Sequence, residues 1–485
     1  MFGAIDSLLN RVTMYRLALY YLFFLVLYAS LFGFLGALPY RAQDFLILTA
    51  ILMAVSWGTN KVLARIFHVN ENIESSLITG LILALIINPD PALAGSSLVF
   101  WSLAGFLASI SKYIFAPFRK HIFNPAAFAV AATAFTIGQP AGWWVGSFPI
   151  MLPPVFFGGL LIARKLRRGD LVLSFLVSSL ILLFWKGGWT VIPQTIYYAP
   201  FFFFAFIMLT EPSTAPPRQG KRIAYGAVVG VLSILTTYEL ALLCGNIFSY
   251  LVSPKHRFIM KLKEQKEIAS NIYEFSFAHQ EKISHLPGQY FEWTLKHKNS
   301  DTRGIRRYFT IASSPTENEI RLGTKFNRQG STFKKTLAAM RPGDKISACQ
   351  LAGDFTLPAD KNKKLVFIAG GIGITPFRSM IKYLIDIKEK RDIILLYSNK
   401  TESEIAYREI FEEARTKLSI KTVYINNDKD GFINDKTIMW EAPDFKERHF
   451  YISGPPSMIE AFQHTLTAIG VPRSQIKTDF FPGYV

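Results

Sequence analysis

Apolar runs close to the roughly 20 residues that cross a hydrocarbon core recur along the chain as far as Val252 and then stop. They predict helical spans near 14–37, 44–66, 75–89, 93–115, 124–138, 143–163, 170–186, 196–210, 223–237 and 239–252. After Pro254 the period changes. Arg257-Phe258-Ile259-Met260-Lys261-Leu262 and Ile272-Tyr273-Glu274-Phe275-Ser276-Phe277 alternate, which predicts strands exposed on one face. From Lys364 onward a buried strand, a glycine-rich turn and a helix follow one another, with further strands at Ile393–Tyr397 and His449–Ser453. The expected fold class is an α-helical polytopic membrane domain of about ten helices (1–254), then an antiparallel β-barrel (255–358), then a doubly wound α/β domain (359–485).

Composition supports that division. Half of the 485 residues are apolar and only 18% are charged, which excludes a purely water-soluble chain. Before Pro254 there are 16 Lys/Arg against 8 Asp/Glu, and after it 37 against 27. On an alternating path, Lys61, Arg65, Lys112, Arg119, Lys120, Arg164, Lys165, Arg167, Arg168, Arg218, Lys221 and Arg222 share one side, and Arg41 and Lys186 the other. The positive-inside rule then places the N-terminus and the C-terminal domain in the cytoplasm of a multi-pass inner-membrane protein. This path requires a break near Tyr238-Glu239. The first span reads as a retained helix, since its apolar run exceeds a signal-peptide core.

The short run Thr79–Pro89 has a counterpart in Phe203–Pro212, and Phe123-Asn124-Pro125-Ala126 a weaker one in Gly245-Asn246-Ile247-Phe248. Interrupted segments at matching places mark an inverted repeat with broken helices lining a site. Glu74, Asp90, Glu211 and Glu239 are candidates for ion or proton paths, although each is expected at a helix end reached by water. These stretches resemble the RnfD/NqrB family of membrane proteins, which serve the Rnf electron-transport complex and the sodium-pumping NADH:quinone reductase. The resemblance rests on Thr79-Gly80-Leu81-x-Leu83-Ala84-Leu85, Ile122-Phe123-Asn124-Pro125-Ala126 and Thr210-Glu211-Pro212-x-Thr214-x-Pro216. It implies electron passage through a membrane domain that holds flavin. That family's Ser-Gly-Ala-Thr-like segment for a phosphate-linked flavin has no match, the nearest being Ala131-Ala132-Thr133 and Pro212-Ser213-Thr214. A second, non-covalent flavin, a quinone, or no occupant all remain open.

Other redox chemistries fit poorly. Cys244 and Cys349 are the two cysteines, too few for an iron-sulfur cluster or an all-cysteine zinc site, and no metal site is expected. His68 and His121 are the histidines before residue 255, and both fall at predicted cytoplasmic ends, unsuited to stacked bis-histidine haems. No nucleic-acid motif is present, and the positive charge suits an anionic leaflet and phosphate cofactors.

In the soluble half three motifs stand in order: Arg307-Tyr308-Phe309-Thr310-Ile311-Ala312-Ser313, then Arg328-Gln329-Gly330-Ser331-Thr332, then Gly370-Gly371-Ile372-Gly373-Ile374-Thr375-Pro376, with Ser453-Gly454-Pro455-Pro456 further on. A glycine turn between strand and helix lets a dinucleotide pyrophosphate approach the backbone. Gly330, Ser331 and Thr332 read equally as a phosphate loop or as a helix cap. Together these segments resemble the ferredoxin-NADP reductase superfamily over 255–485.

The resemblance implies a FAD-binding barrel and an NAD(P)-binding domain. Arg307 would reach the flavin diphosphate, Phe309 would stack where Tyr is usual, Thr310 would sit beside flavin N5, and Ser313 would close the motif. Gly330, Ser331 and Thr332 would cradle the pyrophosphate. Gly370, Gly371, Gly373, Thr375, Pro376, Gly454, Pro455 and Pro456 would hold the coenzyme. Ser453 stands where the family has Cys against the nicotinamide. Phe480 or Phe481 would gate the flavin or pack in the core. The segment Tyr397–Glu402 is closer to NADH-using relatives, with Lys400 keeping NADPH open.

The implied function is oxidation of NAD(P)H through FAD. Electrons would then pass to a flavin, a quinone or a redox protein. The rival readings are a flavin or ion transporter driven by the reductase, and a reductase merely anchored by its helices.

Overall fold

The computed structural model describes residues 9, 12–67, 73–90, 95–117, 121–198, 200–253, 257–279, 283–298, 300–301, 304–327 and 330–479. It divides into two compact units, Met1–Arg257 and Phe258–Val485. His68, Arg119, Lys120, Arg328, Gln329, Phe480 and Phe481 lie outside the described residues.

The first unit is helical: α1 (Met14–Phe34), α2 (Ala42–Ile66), α3 (Ile73–Ile86), α4 (Gly95–Ile114), α5 (Pro125–Ile137), α6 (Leu152–Leu166), α7 (Gly169–Gly187), α8 (Val191–Tyr198), α9 (Phe201–Phe203) continued by a π-helix (Phe204–Met208), α10 (Gln219–Leu235) and α11 (Tyr238–Val252). Among the described residues, five segments are long and apolar enough to cross a membrane: Met14–Phe34, Ala42–Ile66, Gly95–Ile114, Pro149–Leu166 and Gly169–Tyr198. The expected break holds, since Thr236 and Thr237 are extended between α10 and α11. The span expected from 143 instead begins as two 3-10 turns, Trp144–Gly146 and Pro149–Met151, because Pro149, Pro153 and Pro154 cannot donate helical hydrogen bonds.

Close helix packing here relies on small residues. A Cβ at Gly226 would lie 2.6 Å from Leu171 O, and one at Gly230 would lie 2.7 Å from Phe175 O, so α10 seats directly on the α7 backbone. Two expectations need correction. Glu239 does stand in the first turn of α11, yet it is buried and accepts from Trp143 Nε1 at 3.1 Å, so water does not reach it freely. Asn124 and Asn246 are not equivalent positions. Asn124 caps α5, whereas Asn246 lies inside α11, and the two touch, Asn124 N–H donating to Asn246 Oδ1 at 2.7 Å.

The second unit has two sheets. Strands β1 (Phe258–Ala269), β2 (Ile272–Ala278), β3 (Tyr290–Thr294), β4 (Arg306–Thr310), β5 (Ile320–Lys325) and β6 (Lys345–Ala352) form an antiparallel sheet in the order β4-β3-β6-β1-β2-β5. Its ends approach through Ala312 N–H donating to Arg321 C=O at 2.8 Å, just beyond β4. Alternate residues such as Met260, Leu262, Phe275, Phe277, Phe291 and Trp293 fill its inner face, as the period-two pattern requires. Helix α12 (Thr332–Ala338) adds Phe333 and Leu337 to that core.

The other strands, β7 (Leu365–Gly370), β8 (Ile393–Asn399), β9 (Lys421–Asn426), β10 (His449–Ser453) and β11 (Ile476–Thr478), are parallel in the order β11-β10-β7-β8-β9. Leu365, Phe367 and Ala369 face one apolar cluster with α13 (Thr375–Asp386) and α14 (Arg408–Leu418). Val366 and Ile368 face another, with Ile438 of the short α16 (Asp435–Glu441) and Phe462 of α17 (Pro456–Ala468), while the single turn α15 (Asn427–Asp430) follows β9. Helices thus cover both faces of a parallel sheet, which explains its unbroken apolar strands.

Candidate functional site

Strand β7 ends in Gly370 and turns through Gly371–Ile374 into α13, whose first turn holds Thr375 and Pro376. The turn is built against the end of β10. A Cβ at Gly373 would lie 2.4 Å from Ser453 O and 2.7 Å from Gly454 N, so only glycine allows this approach. Gly371 has φ +53°, and a Cβ there would meet nothing, leaving that side of the turn open to a ligand. Pro455 precedes α17, and Pro456 occupies its first turn, where a missing N–H is harmless. The structure therefore brings Gly370, Gly371, Gly373, Thr375, Pro376, Ser453, Gly454, Pro455 and Pro456 together at the carboxyl ends of two adjacent parallel strands.

Ser453 is buried and donates to Asp479 Oδ2 at 3.1 Å. Asp479 is in turn fixed by its own N–H, which donates to Ile452 O at 2.9 Å. In the sequence Asp479 stands out only as the start of an aromatic tail. Its role depends on a contact across 26 residues, with no local pattern to reveal it.

In the antiparallel sheet, Arg307 and Phe309 share a face of β4: the Arg307 guanidinium lies 5.2 Å from the Phe333 ring, and the Phe309 ring lies 5.9 Å from it. Thr310 is buried and pairs with Tyr290 across the ladder. Ser313 Oγ accepts from Arg321 N–H at 3.1 Å. Gly330 N–H donates to Asn327 O, and Ser331 caps α12 by accepting from Lys334 N–H. Thr332 N–H donates to Asp301 Oδ2 at 3.0 Å, and Asp301 Oδ1 stands 3.9 Å from Arg307 Nη2. A carboxylate therefore occupies donors that suit an anionic oxygen.

The two motif groups meet within the unit. Arg378 and Ser379 of α13 donate to Ala312 O at 3.0 Å and Ser313 O at 2.7 Å. His285, which no sequence motif marks, has Nε2 3.3 Å from Ser313 O.

Residues 367–464 match the oxidoreductase NAD-binding domain family. The glycine turn, Ser453 and Pro456 all fall inside the matched residues. The flavohemoprotein of Candida albicans is 29% identical over 211 residues, covering 41% of this chain and 51% of that protein. That of Bacillus subtilis is 27% identical over 236 residues, covering 46% and 57%. The chain spans about half the length of the curated relatives it matches. Among solved structures, the cytochrome b5 reductase domain of Ulva prolifera nitrate reductase is 22% identical, with a TM-score of 0.42 over 47% of this chain and 98% of that one. The flavohem-like FAD/NAD binding domain of nitric oxide dioxygenase from Vibrio cholerae is 18% identical, with a TM-score of 0.41 over 46% and 98%.

Proposed function

We propose that the chain is a membrane-bound NAD(P)H-oxidising flavoprotein that passes electrons through FAD to an acceptor in or at its membrane domain: a second, non-covalent flavin, a quinone or a redox protein. The domains in this reading are 1–254 in the membrane, 255–358 for FAD and 359–485 for NAD(P)H, with the last two on the cytoplasmic side. The observation that carries it is the apposition of the coenzyme turn 370–376 with Ser453–Pro455, bonded through α13 to the end of the 307–313 motif.

The described groups fit both ligands. Gly371 leaves backbone open for a pyrophosphate, while Gly373 lets the turn seat against the end of β10. Arg307 and Thr332 already face a carboxylate, so their donors suit the flavin diphosphate once Asp301 withdraws. FAD, when bound, takes a hydride from NAD(P)H and releases electrons singly. Arg307, Gly330, Ser331 and Thr332 bind its phosphates, Phe309 packs near the flavin ring, and Thr310 and Ser313 line it. Ser453, oriented by Asp479, positions the nicotinamide.

The membrane half is read as a relative of the RnfD/NqrB family, with an inverted repeat. Its helix order supports this: α1 packs on α6 and α5 on α11, pairing like positions of the two halves. Flavin content per polypeptide tests the reading, in full-length protein purified in detergent and in a 258–485 fragment. Two flavins in the first and one in the second are expected. One flavin in each, with no quinone, would leave the membrane half without a carrier.

A further inference from the structure

The seam between the antiparallel sheet and the α/β part holds buried charges that none of the sequence motifs uses. Arg378, on α13, is 3% exposed. Both its terminal nitrogens meet the Glu317 carboxylate, Nη2 donating to Oε1 at 2.9 Å and Nη1 to Oε2. Nη1 also donates to Ala312 O at 3.0 Å. Glu317 Oε2 accepts Ser314 N–H at 2.6 Å, so one carboxylate binds both the end of the flavin motif and the helix that follows the coenzyme turn. Burial works against ionisation of Glu317, but the Arg378 hydrogen bond and charge overcome it and hold the carboxyl below its usual range.

Neighbouring contacts tighten the same seam. A Cβ at Gly323 of β5 would lie 2.6 Å from Tyr407 Oη and 2.9 Å from Thr375 Cγ2. Tyr407 is held at φ +60°, a conformation costly for a non-glycine residue unless its surroundings fix it. The Arg378 guanidinium lies 5.6 Å from its ring.

A buried ion pair is weak evidence for stability, since apolar residues of similar volume often serve as well or better. What such a pair supplies that apolar packing does not is direction: a planar bidentate fork fixes both distance and angle. Arg378 lies three residues after Thr375 on the same helix, so the fork fixes the coenzyme turn relative to Ala312 and Ser313.

We propose that Arg378 and Glu317 are positioning residues that set the register of the nicotinamide against the flavin. The inference rests on the function proposed above. Hydride transfer requires reacting atoms about 3–3.5 Å apart, and a shift near 1 Å costs on the order of 100-fold in rate.

The test uses full-length protein with FAD and two variants. Arg378→Met combined with Glu317→Met replaces the pair by apolar volume, and Arg378→Lys keeps the charge without the fork. Three quantities are read: amide exchange over 311–314 and 374–380 without coenzyme, FAD retention, and the rate of flavin reduction at saturating NADH or NADPH. The double variant is expected to retain FAD, to exchange faster at both segments, and to be reduced roughly 10- to 100-fold more slowly with little change in coenzyme affinity. Arg378→Lys is expected to slow reduction in the same sense, and it carries the test if the double variant does not fold. Wild-type exchange and reduction in the double variant, or a wild-type rate in Arg378→Lys, would overturn the proposal. Wild-type protein that no nicotinamide coenzyme reduces would overturn the function reading itself, a result distinct from a reducible wild type with unimpaired variants.

Discussion

His285 shows how a single buried ring can set acid sensitivity. Its Nε2 faces the Ser313 carbonyl at 3.3 Å and must therefore carry the hydrogen, while Nδ1 is buried without a partner among the described residues. Burial lowers its pKa from the usual value, the bond to Ser313 and the charge of Glu317 pull the other way, and His279 adds to the lowering. The unfolded chain then binds the proton more readily. Stability from this group is complete above the ordinary histidine value of about 6.5 and declines as pH falls from there toward the folded pKa, by at most about 1.4 kcal/mol per pH unit. The melting temperature of the second unit should fall as pH is lowered through about 6.5, and His285→Gln should flatten that slope. Asp301 offers a second test. Its carboxylate holds Thr332 N–H and approaches Arg307, so under the proposed FAD site the flavin diphosphate would displace it. Asp301→Asn removes that competing charge and should tighten FAD binding about three- to tenfold, measured by fluorescence titration of apoprotein, on the scale of one charge-assisted hydrogen bond of about 1 kcal/mol.

Between elements, a close constraint lies where α10 rests on α7. Gly230 has Phe175 O 2.7 Å from its would-be Cβ, and backbone cannot rotate away as a side chain does. Gly230→Val should therefore cost at least the roughly 1–3 kcal/mol of ordinary overpacking, read as a lower melting temperature or aggregation in detergent. The periodicities that define such elements were legible in the sequence because they are local. Apolar length marked α1, α2 and α4, alternation marked β1 and β2, and the glycine turn marked the junction of β7 and α13. Errors arose where local rules compete. Pro149, Pro153 and Pro154 delay α6, and β1 runs on to Ala269 because β2 returns along it through bulges. At the site, the glycine turn was legible because close backbone approach permits few residue types. Asp479, Glu317 and Arg378 were not. Their meaning comes from contacts across 26 and 61 residues, and a lone Asp, Glu or Arg on a soluble surface looks the same in sequence.

At the scale of the whole chain, the second unit has its own apolar cores, one inside the antiparallel sheet and one on each face of the parallel sheet. Every described group proposed to hold FAD or NAD(P)H lies between Arg307 and Asp479, within the second unit. The helices, by contrast, carry an independent polar network. Asn124 Nδ2 donates to Glu211 Oε2 at 2.8 Å, Thr214 Oγ1 donates to the same oxygen at 3.2 Å, and Asn246 Nδ2 donates to Tyr225 Oη at 3.1 Å. Removing the first unit should therefore separate two activities. If the proposed function holds, a 258–485 fragment should reduce ferricyanide with NADH or NADPH at a rate within about twofold of the full chain, because every described group proposed for hydride transfer lies inside that unit. It should fail to reduce a quinone dissolved in lipid vesicles, which the full chain reconstituted in the same vesicles should reduce. Equal quinone reduction by fragment and full chain would mean that the helices contribute no electron path, whereas loss of ferricyanide reduction in a folded, flavin-loaded fragment would mean that they complete the coenzyme site.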